Sequence, residues 1–333
     1  MAAELDHAHW MARALELAAA GDYATSPNPM VGAVVLDARG EPAGEGYHRG
    51  PGEPHAEVEA LRAAGDRARG GTIYVTLEPH CFQGRYSAPC TDAIVDAGVK
   101  RVVAAMTDPD ERAQGRGFDL LRERGVEVVT GVLEDRAQKL NQFYVKQRRT
   151  GRPFVTLKWA MGLDGRTVTA PGEERWITSG EARAHAHELR RRHDAILVGV
   201  NTVLADDPQL TTRIGGLPNA RSPLRVVLDR RLRTPPAAKV LPALVFTSPG
   251  VTAQIEGAEI VAAGTDPETV LDELGRRGIL SLLVEGGAEV WASFTPHADA
   301  VAAYIGTRLV DDPRTTRLGP DILIEGDVHR DHQ

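Results

Sequence analysis

Two short stretches of the chain carry side chains that could bind a metal ion and move protons. The first is Pro54-His55-Ala56-Glu57, and the second runs from Glu78-Pro79-His80-Cys81 to Pro89-Cys90. They contain the only two cysteines among the 333 residues. Imidazole and thiolate are ligands of zinc, and a catalytic zinc site takes three protein ligands and leaves one position for water. The pattern therefore predicts a zinc site with a carboxylate beside it.

The expected chemistry is hydrolytic deamination. Zinc lowers the pKa of a bound water, so that hydroxide becomes available near neutral pH. A carboxylate that is not a ligand can then carry a proton to the departing amine. Glu57 follows His55 by two residues at a predicted helix start, so the pair can supply that carboxylate and one ligand. His-Ala-Glu alone is more typical of a surface helix, whereas the added Pro-His-Cys and Pro-Cys favour a catalytic metal site.

The elements that must position these residues alternate between strands and helices, which predicts a layered α/β domain over residues 1–149. The hydrophobic pattern predicts helices over 8–20, 55–64, 90–97, 115–124 and 134–149. It predicts strands over 30–36, 44–48, 71–77, 101–106 and 126–129. Thr150-Gly151-Arg152-Pro153 is the best candidate linker to a second domain, 153–333.

The second half of the chain alternates again, which predicts a second α/β domain with a mostly parallel sheet. The predicted helices are 181–192, 267–276 and 288–294, and the predicted strands are 154–160, 194–198, 225–228, 243–246, 279–284, 301–305 and 322–324. Two strand-to-helix turns, Gly199-Val200-Asn201-Thr202 and Val284-Glu285-Gly286-Gly287, suit the phosphates of a cofactor. No G-x-G-x-x-G motif occurs, so a Rossmann domain is not indicated.

Composition and charge exclude several other classes of protein. The net charge of −7 argues against nonspecific binding to nucleic acid, which needs a basic face. The sequence contains no run of eighteen apolar residues, so it predicts no membrane-spanning helix, and the N-terminus does not resemble a signal peptide. Two cysteines make no disulfide framework. We therefore expect a cytoplasmic enzyme with a small-molecule substrate, no nucleic-acid partner and no membrane contact.

Residues 10–145 resemble a known family. The motifs that carry the resemblance are Thr25-x-Pro27-Asn28-Pro29-x-Val31-Gly32, Gly44-Glu45-Gly46-Tyr47-His48, Pro54-His55-Ala56-Glu57-Val58, Thr76-Leu77-Glu78-Pro79 and Pro89-Cys90-Thr91-Asp92-Ala93. They are similar to the deaminase half of the bifunctional deaminase–reductases of riboflavin biosynthesis. The resemblance implies an N-terminal cytidine-deaminase-like three-layer domain, in which His55 and Cys90 hold Zn2+ and Glu57 is catalytic.

The third zinc ligand is where the chain departs from the family pattern, which is Glu-Pro-Cys, eight residues and a second Cys. Here His80 follows Pro79, and Cys81 comes only after it. Counting back from Cys90 makes Cys81 the ligand and His80 an insertion. Counting forward from Pro79 makes His80 the ligand and puts the extra residue within 86–88. Zinc accepts either side chain; we expect Cys81, with His80 as the alternative.

Residues 153–310 resemble the reductase half of the same family. The carrying segments are Lys158-x-Ala160-Met161-x-Leu163-Asp164-Gly165, Trp176-Ile177-Thr178-Ser179, His187-x-Leu189-Arg190, Thr202-Val203-Leu204-Ala205-Asp206-Asp207-Pro208 and Glu285-Gly286-Gly287. The resemblance implies a C-terminal dihydrofolate-reductase-like domain that uses NADPH. It implies cofactor contacts by Ala160, Trp176, Thr202, Asp206 and Gly287. It implies substrate contacts by Arg190, Leu210, Arg213 and Glu285, and the arginines suit a sugar phosphate.

The resemblance implies two consecutive reactions on a phosphorylated pyrimidine in a homo-oligomer, a dimer or a tetramer. The first is zinc-dependent deamination of 2,5-diamino-6-ribosylamino-4(3H)-pyrimidinone 5′-phosphate, and the second is reduction of its ribosyl side chain to ribityl. Thr307–Leu318 is shorter than the matching family segment. With the displaced cysteine, this keeps open the alternative that only one activity is retained. A nucleic-acid deaminase and a noncatalytic zinc scaffold are further alternatives, and the acidic charge and the second domain oppose the former.

Overall fold

The computed structural model describes residues 6–83, 88–167, 176–214 and 221–328. The chain divides into two compact units, residues 1–154 with 274–280 and residues 155–273 with 281–333. None of the helices in the described ranges is both long enough and apolar enough to cross a membrane.

The first unit is built on a five-stranded mixed sheet. Its strands are β1 (Gly32–Leu36), β2 (Pro42–Tyr47), β3 (Thr72–Val75), β4 (Arg101–Ala104) and β5 (Glu127–Val129). Its helices are α1 (His7–Ala19), α2 (Ala56–Ala64), α3 (Cys90–Asp96), α4 (Arg116–Glu123), α5 (Glu134–Leu140) and α6 (Gln142–Thr150). The strand order is β2-β1-β3-β4-β5. β1 is antiparallel to β2 and β3, whereas β3, β4 and β5 run parallel.

Glycines let two helices lie directly on opposite faces of this sheet. A Cβ at Gly46 of β2 would lie 2.6 Å from the Ala60 nitrogen in α2, and one at Gly32 of β1 would lie 2.1 Å from the Ala14 oxygen in α1. Gly46 pairs with Ala33, the neighbour of Gly32. Because directly paired residues share a face and consecutive residues alternate, α1 and α2 cover opposite faces. The predicted three-layer fold is confirmed.

The single helix predicted over 134–149 is wrong, because the chain breaks at Asn141 into α5 and α6. The buried Asn141 side chain accepts a hydrogen bond from the Met30 backbone nitrogen at 2.8 Å and donates one to the Met30 oxygen at 2.9 Å. Its backbone, with φ −101° and ψ 25°, departs from helical geometry. An asparagine that bonds to a distant backbone competes with the helix.

The second unit is built on a seven-stranded sheet in the order β10-β9-β8-β7-β11-β6-β12. The strands are β6 (Phe154–Gly162), β7 (Ala195–Gly199), β8 (Leu224–Leu228), β9 (Ala243–Phe246), β10 (Ala258–Val261), β11 (Ser281–Val284) and β12 (Ala300–Gly306). The helices are α7 (Gly180–Arg192), α8 (Val200–Asp206), α9 (Pro267–Arg276) and α10 (Ala288–Phe294). The pairings β10–β9, β9–β8, β8–β7, β7–β11 and β6–β12 are all parallel, as expected. β10 was not predicted, and α8 was expected only as the helix that follows the predicted turn at Gly199–Thr202, without bounds of its own.

A hairpin follows the sheet. Its strands are β13 (Val310–Leu318) and β14 (Asp321–Val328), and they pair antiparallel. The segment 307–318, predicted to be too short for both a helix and a strand, forms β13 alone. The predicted strand 322–324 lies inside β14.

Candidate active sites

Three side chains of the first unit converge as a metal site would require. His55, His80 and Cys90 each offer a ligand atom, and these atoms lie within 4.8 Å of one another. The Nδ1 atom of His55 is 3.1 Å from the Sγ atom of Cys90, and the ring centroids of His55 and His80 are 5.3 Å apart. This set contains two imidazoles and a thiol, which are all zinc ligands.

Local structure places each of these residues. His55 is the N-cap of α2 and has extended backbone, while Cys90 is the first residue of α3 and is fully buried. His80 lies in the segment that follows β3, and its carbonyl oxygen accepts a hydrogen bond from the Thr91 nitrogen at 3.2 Å. This bond ties the His80 segment to the first turn of α3 and therefore holds His80 beside Cys90.

Cys81 does not belong to this group, although counting back from Cys90 had favoured it. The half-buried Cys81 thiol lies instead near the Glu78, Arg116 and Asp108 side chains, and burial followed by the Glu78 charge raises its pKa. The bond from Thr91 to the His80 carbonyl fixes which of the two neighbours meets α3. The extra residue was expected within 86–88, and residues 84–87 lie outside the described residues.

The electrostatics of the group fit a cation. Burial, followed by the charges of His55 and Arg112, lowers the pKa of His80 to about 4, so its imidazole is neutral and able to bind metal. Within the described residues, the buried Nδ1 atom of His80 has no hydrogen-bond partner. Burial also raises the pKa of the Cys90 thiol well above its ordinary value, and raises that of Glu57. A divalent cation would reverse these tendencies and stabilise the thiolate, so the residues present fit zinc.

Glu78, although it lies in the same motif, has a structural role in this geometry. Its buried carboxylate accepts hydrogen bonds from the backbone nitrogens of Asp108 at 3.1 Å, Gly115 at 2.8 Å and Gly117 at 2.8 Å. A Cβ at Gly117 would lie 2.4 Å from the Pro79 oxygen. Glu78 therefore fastens the 108–117 loop against the segment that carries His80, a role the motif alone did not indicate.

A buried histidine, His48, supports the start of α2. The Nδ1 atom of His48 lies 3.1 Å from the Pro54 carbonyl oxygen, and the Asn28 side-chain amide lies 3.1 Å from its Nε2 atom. The rings of His48 and His55 are 5.5 Å apart. Asn28 and His48 both belong to the motifs that carried the resemblance, yet neither was predicted to be a site residue. Their hydrogen bonds hold the segment that ends at His55.

The second unit holds a cluster of buried charges around Glu285, which follows β11. The Arg190 guanidinium of α7 donates two hydrogen bonds to the Glu285 carboxylate, both at 2.8 Å. Lys158 of β6 contributes a third contact at 3.4 Å. Burial on its own would raise the pKa of Glu285, but the Arg190 hydrogen bonds and the Lys158 charge lower it to about 2. The carboxylate is therefore ionised and carries two cationic partners.

The other residues predicted to contact substrate join this cluster through α7. The Nη1 atom of Arg190 donates to the Thr211 oxygen at 3.3 Å, and the Arg213 backbone nitrogen donates to the Nδ1 atom of His187 at 3.2 Å. Burial, then the charges of Arg190 and Arg213, lower the pKa of His187. Leu210, which is buried, immediately precedes Thr211. Arg190, Leu210 and Arg213 thus lie around one contiguous region.

Residues predicted to contact the cofactor lie where helices follow β7 and β11. Thr202 and Asp206 are in α8, and Gly287 is the N-cap of α10. β7 and β11 are parallel neighbours, so the two helices begin at the same edge of the sheet. A Cβ at Gly199 would lie 2.9 Å from a Val290 methyl group, so α10 packs tightly at the end of β7.

Ala160 and Trp176, the remaining two predicted cofactor residues, lie in different surroundings. Ala160 is in β6 and pairs with Tyr304 of β12. Trp176 is 46% exposed, and the Arg183 guanidinium of α7 stands 4.9 Å from its ring centroid.

Sequence reasoning assigned no role to Lys158, His187 or Tyr304. The Lys158 ammonium lies 5.6 Å from the Tyr304 ring centroid, and the Tyr304 hydroxyl lies 2.8 Å from the Nδ1 atom of His185. The lone lysine in the otherwise apolar strand FVTLKWAMG was the signal that could have pointed to Lys158.

Comparison with known proteins accounts for both units. Residues 5–106 match the family described as the cytidine and deoxycytidylate deaminase zinc-binding region. Residues 153–319 match the RibD C-terminal domain. The riboflavin biosynthesis protein RibD of Aquifex aeolicus is 42% identical over 324 residues, which cover 94% of this chain and 90% of that protein. The chain belongs to the RibD family.

Other members of the RibD family match this chain over most of its length. RibD of Escherichia coli is 40% identical over 91% of this chain and 88% of its own length. A structure of Acinetobacter baumannii RibD has a TM-score of 0.84 and 36% identity, and covers 97% of this chain and 99% of that chain. A Thermotoga maritima structure, titled as a diaminohydroxyphosphoribosylaminopyrimidine deaminase and 5-amino-6-(5-phosphoribosylamino)uracil reductase, has a TM-score of 0.81 and 35% identity over 96% of this chain and 97% of that chain.

Membership of the RibD family confirms the main predictions. The chain is a bifunctional deaminase and reductase of riboflavin biosynthesis, with a cytidine-deaminase-like domain that binds zinc and a reductase domain that uses NADPH. Its substrate is a small phosphorylated pyrimidine.

Proposed function

We propose that the domain of residues 1–149 deaminates 2,5-diamino-6-ribosylamino-4(3H)-pyrimidinone 5′-phosphate, and that the domain of residues 153–333 reduces the ribosyl group of the product. The observation that carries the first assignment is the convergence of His55, His80 and Cys90 beside the buried Glu57. The second assignment is supported by Arg190 and Lys158, whose side chains contact the ionised Glu285.

The proposed zinc ligands are His55, His80 and Cys90, which leaves Cys81 outside the metal site. Support comes from the grouping of the three ligand atoms and from the buried His80 Nδ1 atom, which has no hydrogen-bond partner in the part of the chain that the structure describes. Zinc, when bound, supplies an acidified water as the nucleophile.

Glu57 is the proposed proton carrier. It lies in the first turn of α2, two residues after His55, and is 3% exposed. A carboxylate in that place can accept the proton of the attacking water and deliver it to the ring amino group, which then leaves as ammonia. Burial excludes bulk water, so the proton stays with the reacting groups.

In the reductase domain, the proposed substrate residues are Arg190, Leu210, Arg213 and Glu285. A guanidinium with several donors suits the 5-phosphate of the substrate, and the Glu285 carboxylate can accept hydrogen bonds from sugar hydroxyls. The proposed cofactor residues are Ala160, Trp176, Thr202, Asp206 and Gly287. NADPH, when bound, supplies the hydride that converts the opened ribosyl group to ribityl.

A homo-oligomer, a cytoplasmic location and the absence of a nucleic-acid partner stay predictions. An oligomer is supported by exposed apolar side chains on the C-terminal hairpin, where Leu318, Ile322 and Val328 are all more than half exposed. Light scattering of the purified protein would give the oligomeric state.

The decisive experiment measures both half-reactions separately on zinc-loaded protein. We expect release of ammonia from the diaminopyrimidine phosphate and, with the deaminated product as substrate, oxidation of NADPH. Glu57→Gln should reduce ammonia release about 10²- to 10⁴-fold, with zinc content and NADPH oxidation unchanged. Glu59→Gln is the matched control, because Glu59 lies in the same helix and its ion pair is with Arg62. Failure of the unaltered protein to release ammonia would refute the deaminase assignment.

A further inference from the structure

Tyr304 of β12 lies beside the largely buried charges of the reductase domain, although it belongs to neither group of proposed site residues. It pairs with Ala160 of β6, a proposed cofactor residue. The Lys158 ammonium lies 5.6 Å from the centre of the Tyr304 ring and 3.4 Å from the Glu285 carboxylate, a proposed substrate contact. Tyr304 therefore adjoins both the proposed cofactor residues and the proposed substrate residues.

The side chains of β12 alternate between two faces, and Tyr304 is on the more enclosed one. Val301 is exposed, whereas Ala302 and Tyr304 are partly buried. Ala302 pairs with Lys158 of the neighbouring strand. Residues two apart in a strand point to the same face of a sheet. The Tyr304 side chain therefore lies on the face of the sheet that carries Lys158.

A hydrogen bond connects the Tyr304 hydroxyl to solvent through His185 of α7. The hydroxyl oxygen is 2.8 Å from the Nδ1 atom of His185, and the two ring centroids are 5.9 Å apart. His185 is exposed, whereas Tyr304 is half-buried. An exposed imidazole exchanges protons with water and can pass them to a bonded hydroxyl. The pair therefore forms a short path for a proton from water to the face that carries Lys158.

The reduction of a ribosyl group to a ribityl group consumes one proton for each hydride. C1′ of the ribosyl group gains the hydride, the bond between C1′ and the ring oxygen breaks, and the electron pair of that bond passes to the oxygen. The oxygen takes up a proton and becomes the 4′-hydroxyl of the ribityl group. NADPH, when bound, supplies only the hydride, so the proton has to reach the oxygen from water through a side chain.

Tyr304 suits this role better than the charged residues around it. Arg190 and Lys158 hold the pKa of Glu285 at about 2, so the Glu285 carboxylate carries no proton to give. The guanidinium of Arg190 does not release a proton, and the Lys158 ammonium already contacts Glu285. Burial, followed by the Glu285 charge, raises the pKa of Tyr304, so its hydroxyl keeps its proton until transfer. This hydroxyl is also the group with a bonded route to water.

We propose that the Tyr304 hydroxyl donates the proton to the ring oxygen of the substrate, and that His185 takes a proton from water and returns it to Tyr304. Tyr304 is then a further catalytic residue of the reductase, and His185 is a positioning residue that acts through it. The Lys158 ammonium beside the ring stabilises the tyrosinate that forms on transfer. This inference rests on the proposed reductase site and adds the source of the proton.

The first test is Tyr304→Phe in the full-length, zinc-loaded protein, with NADPH and the deaminated ribosylamino substrate. This substitution keeps the ring against Lys158 and removes only the hydroxyl. We expect kcat for NADPH oxidation to fall about 10²- to 10⁴-fold. KM for NADPH and KM for the substrate should stay close to those of the unaltered protein. A purely structural role would instead change KM or the free energy of unfolding and leave kcat unchanged.

His185→Ala gives a second readout, because imidazole added to the buffer can replace the missing side chain. We expect kcat to fall less than with Tyr304→Phe, since water can still return the proton, and to recover as the imidazole concentration rises. His297→Ala, at a histidine of the same unit outside α7, is the matched control. It should show neither the loss nor the recovery.

The possible outcomes separate this inference from the proposed function. Tyr304→Phe with an unchanged kcat would overturn it, as would a loss of kcat matched by an equal loss of NADPH binding. Should Tyr304→Phe fail to fold, His185→Ala decides, because the His185 side chain is exposed. A His185→Ala rate that is unaltered, or that imidazole does not restore, would refute the path to water. Unaltered protein that oxidises no NADPH would instead refute the reductase assignment itself.

Discussion

The two proposed active sites stabilise buried polar groups in opposite ways. In the deaminase site, no lysine or arginine of the described residues bonds to the buried Glu57 or Cys90, and the pKa of each is raised chiefly by burial. In the reductase site, Glu285 is equally enclosed, but Arg190 and Lys158 surround it and its pKa falls to about 2. One site needs a cation from outside the chain, whereas the other is neutralised by the chain itself.

Two histidines with buried ring nitrogens, the half-buried His80 and the buried His193, show the same contrast at the level of single atoms. Burial is the largest cause that lowers the pKa of both His80 and His193 to about 4. His193 Nδ1 lies 2.7 Å from the Leu189 oxygen and its Nε2 lies 2.9 Å from the Thr156 hydroxyl, so both ring nitrogens are satisfied. By contrast, no described residue forms a hydrogen bond with the buried Nδ1 atom of His80. The unpaired nitrogen, and not the shifted pKa, distinguishes a candidate ligand from a core histidine.

The largest effect is expected at the proposed metal site. If it were absent, the contrast between a site that needs a metal cation and a site neutralised by its own side chains would not hold. His80→Ala removes one of three proposed ligands, so zinc measured by atomic absorption should fall far below about one ion per chain, and ammonia release should be lost with it. Cys81→Ser should keep zinc near one per chain. The reverse pattern, zinc lost with Cys81→Ser and kept with His80→Ala, would restore Cys81 as the ligand.

An intermediate effect is expected at the cluster of Glu285, Arg190 and Lys158. Glu285→Gln leaves Arg190 and Lys158 largely buried without their anion, which should lower the free energy of unfolding by about 3–5 kcal/mol and weaken binding of the pyrimidine substrate. Glu188→Gln, which breaks the more exposed pairs to Arg191 and Arg192, should cost less than about 1 kcal/mol. If denaturant titrations gave the same loss in the free energy of unfolding for both variants, the Glu285 ion pairs would contribute no more to stability than the surface pairs of Glu188.

The smallest effect concerns His193 and appears only with pH. Because its folded-state pKa is about 4 rather than 6.5, the unfolded chain binds more protons between these values. The stability that His193 contributes is therefore complete above pH 6.5 and is lost as the pH falls towards 4, by up to roughly 3 kcal/mol. Unfolding monitored by tryptophan fluorescence can measure this loss of stability, because Trp159, Trp176 and Trp291, three of the four tryptophans, lie in the second unit with His193.

The control for that experiment is His193→Gln, which keeps a hydrogen-bonding side chain but cannot titrate. Its stability should vary less between pH 7 and pH 4 than that of the unaltered protein. Identical pH dependence in the two proteins would contradict the assignment of His193 as a buried, neutral core residue.

Most elements followed from local patterns, and the exceptions have identifiable causes. Val34 and its neighbours in β1 are all buried, so an apolar run was sufficient to predict that strand. The break at Asn141 was not predictable, because its hydrogen-bond partner, Met30, lies 111 residues away. The bounds of α8 were not predicted, although a helix was expected after the turn at Gly199–Thr202, because the sequence VNTVLAD has no strong helical pattern.

The sequence by itself determined that the chain has two catalytic halves, because a His-x-Glu pair, two cysteines and the reductase segments are local patterns that need no distant contact to recognise. It could not decide between His80 and Cys81, because counting along the chain does not reveal where an extra residue is accommodated. Tertiary structure decided that grouping: the Thr91 nitrogen bonds to the His80 carbonyl, and His80 meets His55 and Cys90. A metal site depends on distances of a few ångströms, which only the folded chain sets.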